Sequence, residues 1–311
     1  MRICVVGCGA IGSLFAAHLA ALDDVEVWAY DLSQAHVAAI NANGLRLSGA
    51  SELLSRPRAT SDATEIPPCD FGIVATKALH TRAAIEATAH AFADGAVCSV
   101  QNGVGNEEII AEHCERVIRG TTFPAGHIVE PGWVEQDTGG ATWVGPFEPR
   151  PASIDEVRLL ADTLTRAGMQ AVPMSDARGA QWTKLIFNAA TNPIGALTRL
   201  THGQACDEEP LRALISRLVA EGVAVAHQLG IVLDSDPDAL VDHAREVAYD
   251  HKASMLQDVL AGRPTEVDAL NGGIVREGRD AGVPTPLNEA IYALIKGLES
   301  STHRDQEAPA R

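Results

Sequence analysis

Lysine is rare in this chain. Of 24 basic residues only Lys77, Lys184, Lys252 and Lys296 are lysines. Two of them border apolar runs: Lys77 follows Ile73-Val74-Ala75-Thr76, and Lys184 precedes Leu185-Ile186-Phe187. An ammonium in such surroundings is a compact charge whose pKa can fall until it gives up a proton, which arginine does not do. Lys184 is followed by Asn188 and Asn192 at i+4 and i+8, along one face of a helix whose other positions are apolar. Lysine and asparagine are poor choices for a packed face unless they bind something. The stripe also carries no Glu or Arg with which to make the ion pairs of a solvent-facing surface. Pro193 is expected to break or kink the helix just beyond it. For Lys77, snorkelling from a strand end explains the position as well as a ligand does.

A second polar constellation follows. Ser254 and Asp258 stand one helical turn apart, and Pro264-Thr265-Glu266 reads as a helix start with Val267, Leu270 and Ile274 inward. Glu266 would then be a first-turn acid favoured by the helix dipole.

The third lies at the beginning of the chain. Arg2–Val6 reads as a buried strand, Gly7-Cys8-Gly9-Ala10-Ile11-Gly12 as a glycine-rich turn, and Ser13–Leu19 as a helix. In the spacing G-x-G-x-x-G the first glycine permits the turn, the second admits a pyrophosphate and the third lets helix and strand pack closely. Unpaired N–H groups at the helix start favour the phosphates. A second strand, Val25–Tyr30, ends at Asp31, nineteen residues past Gly12, where an acid hydrogen-bonds the adenosine ribose hydroxyls.

These residues need a scaffold, and the chain alternates strand and helix as far as Gly120. Cys69–Thr76 is an apolar run typical of a buried parallel strand, Ala96–Val100 is the next strand, and Gln101-Asn102-Gly103 ends it. The series predicts a Rossmann-type doubly wound parallel sheet, with Gly7–Gly12, Asp31, Lys77 and Asn102 at the carboxyl ends of strands. Leu45–Ser48 and Arg56–Thr60 are expected as sheet edges, and Ala125–Pro146 as glycine-rich antiparallel hairpins. Ala177–Leu200, Glu209–Leu229, Pro237–Leu260, Thr265–Ala281 and Asn288–Leu298 read as helices. The expected domains are therefore 1–174, which binds a dinucleotide, and an all-α 175–311, with an unordered tail from Ser300 to Arg311.

Composition narrows the function. A content of 46% hydrophobic and 21% charged residues is that of a globular chain, and no apolar run reaches a bilayer-spanning length. Met1 leads straight into a strand, so the expected location is the cytoplasm. A net charge of −17 argues against nucleic acid or an anionic membrane as partner. The six cysteines form no C-x-x-C pair and read as buried thiols; the eleven histidines form no H-x-x-x-H or H-E-x-x-H cluster, so no metal is expected. An acidic surface is compatible with a monomer or a homodimer.

Taken in order, these stretches resemble the ketopantoate reductase (2-dehydropantoate 2-reductase) family. The matching pieces are Gly7–Gly12, Thr76-Lys77-Ala78, Gln101-Asn102-Gly103, Trp182–Leu185 with Asn188 and Asn192-Pro193, Ser254–Asp258, Thr265–Asp268 and Asn271-Gly272. The resemblance implies a Rossmann domain followed by a helical domain like that of 6-phosphogluconate dehydrogenase, with the active site in the cleft between them. It makes Lys184 the general acid on a 2-oxo acid's ketone and Glu266 the residue that orients it and binds the nascent hydroxyl. Asn188, Asn192 and Ser254 would hold the substrate, while Lys77 and Asn102 face the nicotinamide side. Much of the family uses NADPH with an arginine after the second strand; here that position is Asp31, which favours NADH. The expectation is thus reduction of a 2-oxo acid, foremost 2-dehydropantoate to (R)-pantoate in pantothenate biosynthesis, with NADPH or NADH. An NAD-linked D-2-hydroxyacid dehydrogenase of the same family is the alternative. A non-catalytic dinucleotide sensor would keep the loop and Asp31 without needing Lys184 and Glu266.

Overall fold

The structure, a computed structural model, describes residues 1–307. Contacts group Met1–Gln101 with Gly105–Ala177, and separately Asn102–Val104 with Arg178 onward. The division falls between Ala177 and Arg178, and Ala177 still packs on Gly145 of the first unit.

The strands of the first unit are β1 (Arg2–Val6), β2 (Glu26–Tyr30), β3 (Leu45–Gly49), β4 (Leu53–Ser55), β5 (Arg58–Thr60), β6 (Phe71–Val74), β7 (Ala96–Ser99), β8 (Val117–Thr122), β9 (Ala125–Glu130), β10 (Trp133–Thr138), β11 (Thr142–Pro146) and β12 (Ala171–Pro173). Eight of them form one sheet in the order β12-β11-β8-β7-β6-β1-β2-β5. Neighbours run parallel except β8 with β11. Ile3 and Val5 of β1 enter the core on one face, and Cys4 and Val6 the core on the other. Burial on both faces is why the strand is apolar throughout. The order turns back between β1 and β6, the switch point at which such sheets bind ligands.

Its helices are α1 (Ala10–Leu19), α2 (Gln34–Asn43), α3 (Thr81–Thr88), α4 (Asn106–Ala111) and α5 (Ile154–Arg166). Leu14 of α1, Ile40 of α2 and Leu160 of α5 pack on one face; Ile85 of α3 and Ile110 of α4 pack on the other. The six cysteines are free and buried.

One feature departs from the sequence reading. The expected hairpin forms, β9 pairing antiparallel with β10, but it joins β3 and β4 in a second sheet, in the order β4-β3-β10-β9, with β3 and β10 parallel. Its Leu45, Leu47 and Val134 join the core that holds α1. The cause lies in α1, whose Leu14, Phe15, Ala16, Ala17 and Leu19 are all buried. A helix apolar around its circumference must be covered on both sides, and the second sheet covers the side that the main sheet leaves.

The second unit comprises α6 (Arg178–Thr198), α7 (His202–Asp207), α8 (Glu209–Gln228), α9 (Pro237–Val247), α10 (Ser254–Leu260), α11 (Asn271–Ala281) and α12 (Pro286–Glu307). Trp182, Leu185, Ile186 and Ala189 of α6 share one core with Ile215 and Leu218 of α8, Ile274 of α11 and Ile291 of α12. A Cβ at Gly222 of α8 would stand 2.8 Å from the Ile186 side chain, so glycine sets the α6–α8 approach. No described helix is long and apolar enough to cross a membrane.

Three helix boundaries and the effect of Pro193 differ from expectation, each for a local reason. The segment 237–260 is two helices, because the carbonyls of Tyr249 and His251 between them accept the first N–H groups of α7, from Gly203 (2.9 Å) and His202 (3.0 Å). Pro193 does not end α6. A proline there leaves the Ala189 carbonyl without its helical donor, and Asn271 Nδ2 supplies a replacement at 2.9 Å. Residues 265–270 form a turn rather than the start of a helix, and α11 begins at Asn271. Finally, α12 continues past Ser300 to Glu307, with the Ser300 and Ser301 hydroxyls bonded back to the carbonyls of Lys296 and Leu298. Extending a formed helix costs far less than nucleating one. Residues 308–311 of the expected tail lie outside the described residues.

Candidate active site

Lys184 lies on α6 between the buried Thr183 and Leu185. Its Nζ donates to Asn102 Oδ1 at 2.7 Å, and Asn102 Nδ2 donates to Glu266 Oε2 at 3.0 Å. The three residues, separated by up to 164 positions, form one chain of hydrogen bonds within the second unit. Burial pushes the Lys184 ammonium down to about 8, against the opposing pull of the Glu266 charge. A group that titrates there is a usable proton donor and acceptor near neutral pH.

Each member is held by its own element. Gly103, after Asn102, has φ +85, and a Cβ on it would lie 2.5 Å from the Ala269 carbonyl oxygen. Val104 N donates to that same carbonyl at 3.2 Å, and Gln181 Nε2 of α6 donates to Gly103 O at 3.3 Å. Residues 102–104 are thereby clamped to the 265–270 turn, although they follow β7 in sequence. The turn closes on the Glu266 carbonyl, which accepts from Ala269 N and Leu270 N. It is strapped to α12 on both sides of Glu266: Thr265 donates twice to Glu299, at 2.8 and 2.7 Å, and Asp268 accepts from Tyr292 and Lys296 at 2.7 and 3.0 Å.

Asn188 and Asn192 lie one and two turns beyond Lys184, only 8% and 7% exposed. Their side chains make no hydrogen bond to other described residues. Neither amide is sealed from solvent, so both are open to a ligand that would complete their hydrogen bonding. Ser254 opens α10, is exposed, and follows Ala253, which touches the position of Gly195 on α6. Asp258, a turn further, is buried and accepts from Arg263 Nε at 3.1 Å.

In the glycine loop of the first unit the three glycines have different reasons to be glycine. Gly7 has φ +88, and its Cβ would fall 2.5 Å from Thr76. At Gly12 a Cβ would overlap the Gly7 carbonyl oxygen, so both glycines are required by the fold itself. Gly9 differs: its φ is −63 and nothing lies within 4 Å of an added Cβ. The folded chain does not need glycine there, whereas a pyrophosphate approaching the backbone does. No side chain caps α1 and no acid sits in its first turn, so the N–H groups of Ala10 and Ile11 face a position suited to an anion. Cys8 is buried and its thiol is held far above the ordinary range, chiefly by burial, so it is inert.

Asp31 follows β2 and accepts from Ser33 N at 2.8 Å. The Tyr30 hydroxyl beside it is raised by burial and then by the charges of Asp31 and Asp62, so this strand end is acidic. The nearby Arg58 is engaged towards the other end of β2, paired with Glu26 at 3.4 Å and stacked on Trp28. Lys77, half-buried, follows β6, and its carbonyl accepts from His80 N at 2.8 Å. The fold thus places Gly7–Gly12, Asp31 and Lys77 together at strand ends of the first unit, and Lys184, Asn102, Glu266, Asn188 and Asn192 in the second.

Gln101 also bears on the glycine loop. It is 5% exposed, and its Nε2 donates to Thr76 O and to Thr81 Oγ1, at 2.9 and 2.7 Å. Since Thr76 packs on Gly7, Gln101 braces the loop from below, a role that no spacing rule discloses. Among the described residues, one group of three, His127, Glu135 and Asp137 on β9 and β10, has metal-ligand types close together, with His127 Nδ1 paired to Asp137 at 2.9 Å.

Comparison with known proteins agrees along nearly the whole length. The family described as Ketopantoate reductase PanE/ApbA matches residues 3–149, and Ketopantoate reductase PanE/ApbA C terminal matches residues 176–299. The 2-dehydropantoate 2-reductase of Pyrococcus horikoshii is 35% identical over 302 residues, covering 96% of this chain and 98% of its own. That of Archaeoglobus fulgidus is 33% identical, with the same coverage. Among solved structures, a PanE/ApbA family ketopantoate reductase from Ralstonia eutropha superposes with a TM-score of 0.87 at 30% identity, over 97% of this chain and 100% of that one. D-mandelate dehydrogenase in complex with NADH gives 0.87 at 25% identity, over the same shares of each chain.

Proposed function

The chain belongs to the ketopantoate reductase family, an NAD(P)H-dependent oxidoreductase family, and from that premise we propose that it reduces 2-dehydropantoate to pantoate with NADH. The observation that carries the reading is the Lys184–Asn102–Glu266 chain, with a lysine near pKa 8 at its head.

The reduced nicotinamide supplies the hydride. The protein's part is to hold the 2-oxo acid, meet the charge developing on its ketone oxygen and deliver a proton. Lys184 does the last two: its ammonium stabilises the nascent alkoxide and then protonates it. Below pH about 8 the ammonium form prevails, so the donor is loaded at neutral pH. Glu266 keeps Lys184 cationic and, through Asn102, aims Nζ; it also accepts from the hydroxyl that forms. Asn188 and Asn192 offer their unpartnered amides to the substrate's carboxylate and hydroxyl, with Ser254 completing that set. On the cofactor side, Gly9 would leave room for the pyrophosphate, Lys77 would serve the nicotinamide half, and the acidic end of β2 would bind the ribose hydroxyls and repel a 2′-phosphate.

The likeness to D-mandelate dehydrogenase with NADH supports a second reading, reduction of branched or aromatic 2-oxo acids by the same apparatus. Initial rates with 2-dehydropantoate, 2-oxoisovalerate and phenylglyoxylate, each with NADH and NADPH, separate the two. We expect the highest kcat/KM for 2-dehydropantoate with NADH. Preference for either other acid makes the chain a hydroxyacid dehydrogenase. Binding of cofactor without turnover of any acid leaves a sensor.

A further inference from the structure

His36 is 3% exposed, on α2, and lies outside everything assigned above. Its hydrogen bonds fix its chemical state. Gly132 N–H, in the turn between β9 and β10, donates to Nδ1 at 3.0 Å, so Nδ1 is an acceptor and the proton resides on Nε2. Nε2 faces Ser13 Oγ at 3.2 Å and therefore donates to it. With that lone pair occupied, the Ser13 hydroxyl spends its own hydrogen on the carbonyl of Cys8, at 2.9 Å. The order of donation, Gly132 to His36 to Ser13 to Cys8, is one-directional and wholly buried.

It ends inside the glycine loop. A trans peptide holds its C=O and the following N–H on opposite sides. Turning the Cys8 carbonyl inward to Ser13 therefore turns the Gly9 N–H outward, on the residue whose missing Cβ leaves open space. That N–H is a donor for a pyrophosphate oxygen.

We propose that His36 is a positioning residue for dinucleotide binding, which through Ser13 locks the Cys8–Gly9 peptide with its N–H facing the pyrophosphate. The inference rests on the glycine loop being the dinucleotide site, as proposed above. The neutral imidazole is the working form. A proton on Nδ1 would set two donors face to face, and Gly132 is held in place: its carbonyl accepts from Arg46 N at 2.9 Å, and a Cβ added to it would stand 3.0 Å from the Ala39 side chain. Burial holds the His36 pKa below the ordinary histidine value, with Asp31 opposing. Of the other groups around it, the Cys8 thiol stays neutral, and Ser13 and Gly132 do not titrate. Dinucleotide affinity is therefore full while His36 is neutral and falls as the pH drops through its lowered pKa.

The test is the Kd for NADH, read by fluorescence across the acid range, for the full-length wild type, His36→Leu, His36→Gln, Ser13→Ala and Gly9→Ala. Thermal melts identify any variant that does not fold; Ser13→Ala removes one buried oxygen and keeps the test open if His36→Leu is unfolded. We expect His36→Leu and Ser13→Ala to bind about tenfold more weakly, the loss of one charge-assisted hydrogen bond, with kcat at saturating NADH within about twofold of wild type. His36→Gln, which retains a donor to Ser13 and does not titrate, should recover most of the affinity and lose the acid-side weakening. If Gly9→Ala weakens binding while His36→Leu and Ser13→Ala bind as wild type, the proposal is wrong and the loop assignment stands. Equal losses in His36→Leu and His36→Gln with a flat wild-type pH profile also overturn it, reducing His36 to packing. Wild-type affinity in Gly9→Ala sinks the loop assignment, and the proposal with it.

Discussion

The two halves of the proposed apparatus are built on opposite plans. The proposed dinucleotide loop is a backbone site: its working groups would be N–H donors, and its glycines are dictated by the fold at Gly7 and Gly12, while Gly9, with open space around it, is left to the proposed ligand. The Lys184 site is made of side chains from three separate elements, joined through Asn102 and braced by a strapped turn. A backbone site can be complete before its ligand arrives. A side-chain site must carry buried charge and unsatisfied amides, at a cost in stability, to be ready for chemistry.

The sharpest test of this contrast is Lys184→Ala. Removing the proton donor should lower kcat by about 10²–10⁴-fold while the Kd for NADH, measured by fluorescence, stays within about twofold. A matching loss of NADH affinity would show that the two halves are not separable. The loop can be divided the same way. Gly12→Ala should cost about 3 kcal/mol or more in a denaturant melt, because its Cβ meets a carbonyl oxygen that cannot move. Gly9→Ala should leave stability within about 0.5 kcal/mol and lose only affinity. If both variants unfold alike, the distinction between fold-dictated and ligand-dictated glycine collapses.

A subtler effect is expected at Asn271, which is fully buried, donates to the carbonyl orphaned by Pro193 and bonds Asn288. It ties α6, which carries Lys184, to the turn that carries Glu266. Asn271→Ala should cost about 1–3 kcal/mol in the same melt, the penalty of leaving a buried carbonyl unpaired. It should also lower kcat more than it raises the KM for the oxo acid. The smallest effect is expected at Asp31: Asp31→Ala should shift the NADH-to-NADPH ratio of kcat/KM towards NADPH by about tenfold, one charged contact.

The same contrast decides what was legible in the sequence. The alternating βα series, the glycine spacing and Asp31 declare themselves because period and offset are local properties of the chain. So does the stripe of Lys184, Asn188 and Asn192, since i+4 is fixed by the helix. The second sheet was missed because β3 and β10 are far apart in sequence and their alternation is short; the clue was an α1 apolar all round. Glu266 was assigned through family resemblance, while periodicity put it in a helix. The residues hold a turn only because Thr265 and Asp268 are tied to α12, 24 to 34 positions away. Pro193 misled for a comparable reason: the local rule predicts a break, and a distant asparagine removes the need for one.

The proposed mechanism turns on Lys184 as the proton donor, brought towards neutrality by burial and held up by Glu266. The direct measurement is the pH dependence of kcat/KM for oxo-acid reduction, in wild type and in Glu266→Gln. The donor must be protonated, so the wild-type rate should be flat at lower pH and fall through a limb near 8. Glu266 raises the Lys184 pKa, so neutralising it should move the limb to lower pH. A wild-type limb near the ordinary lysine value, or a limb that Glu266→Gln leaves in place, would contradict the assignment of both residues.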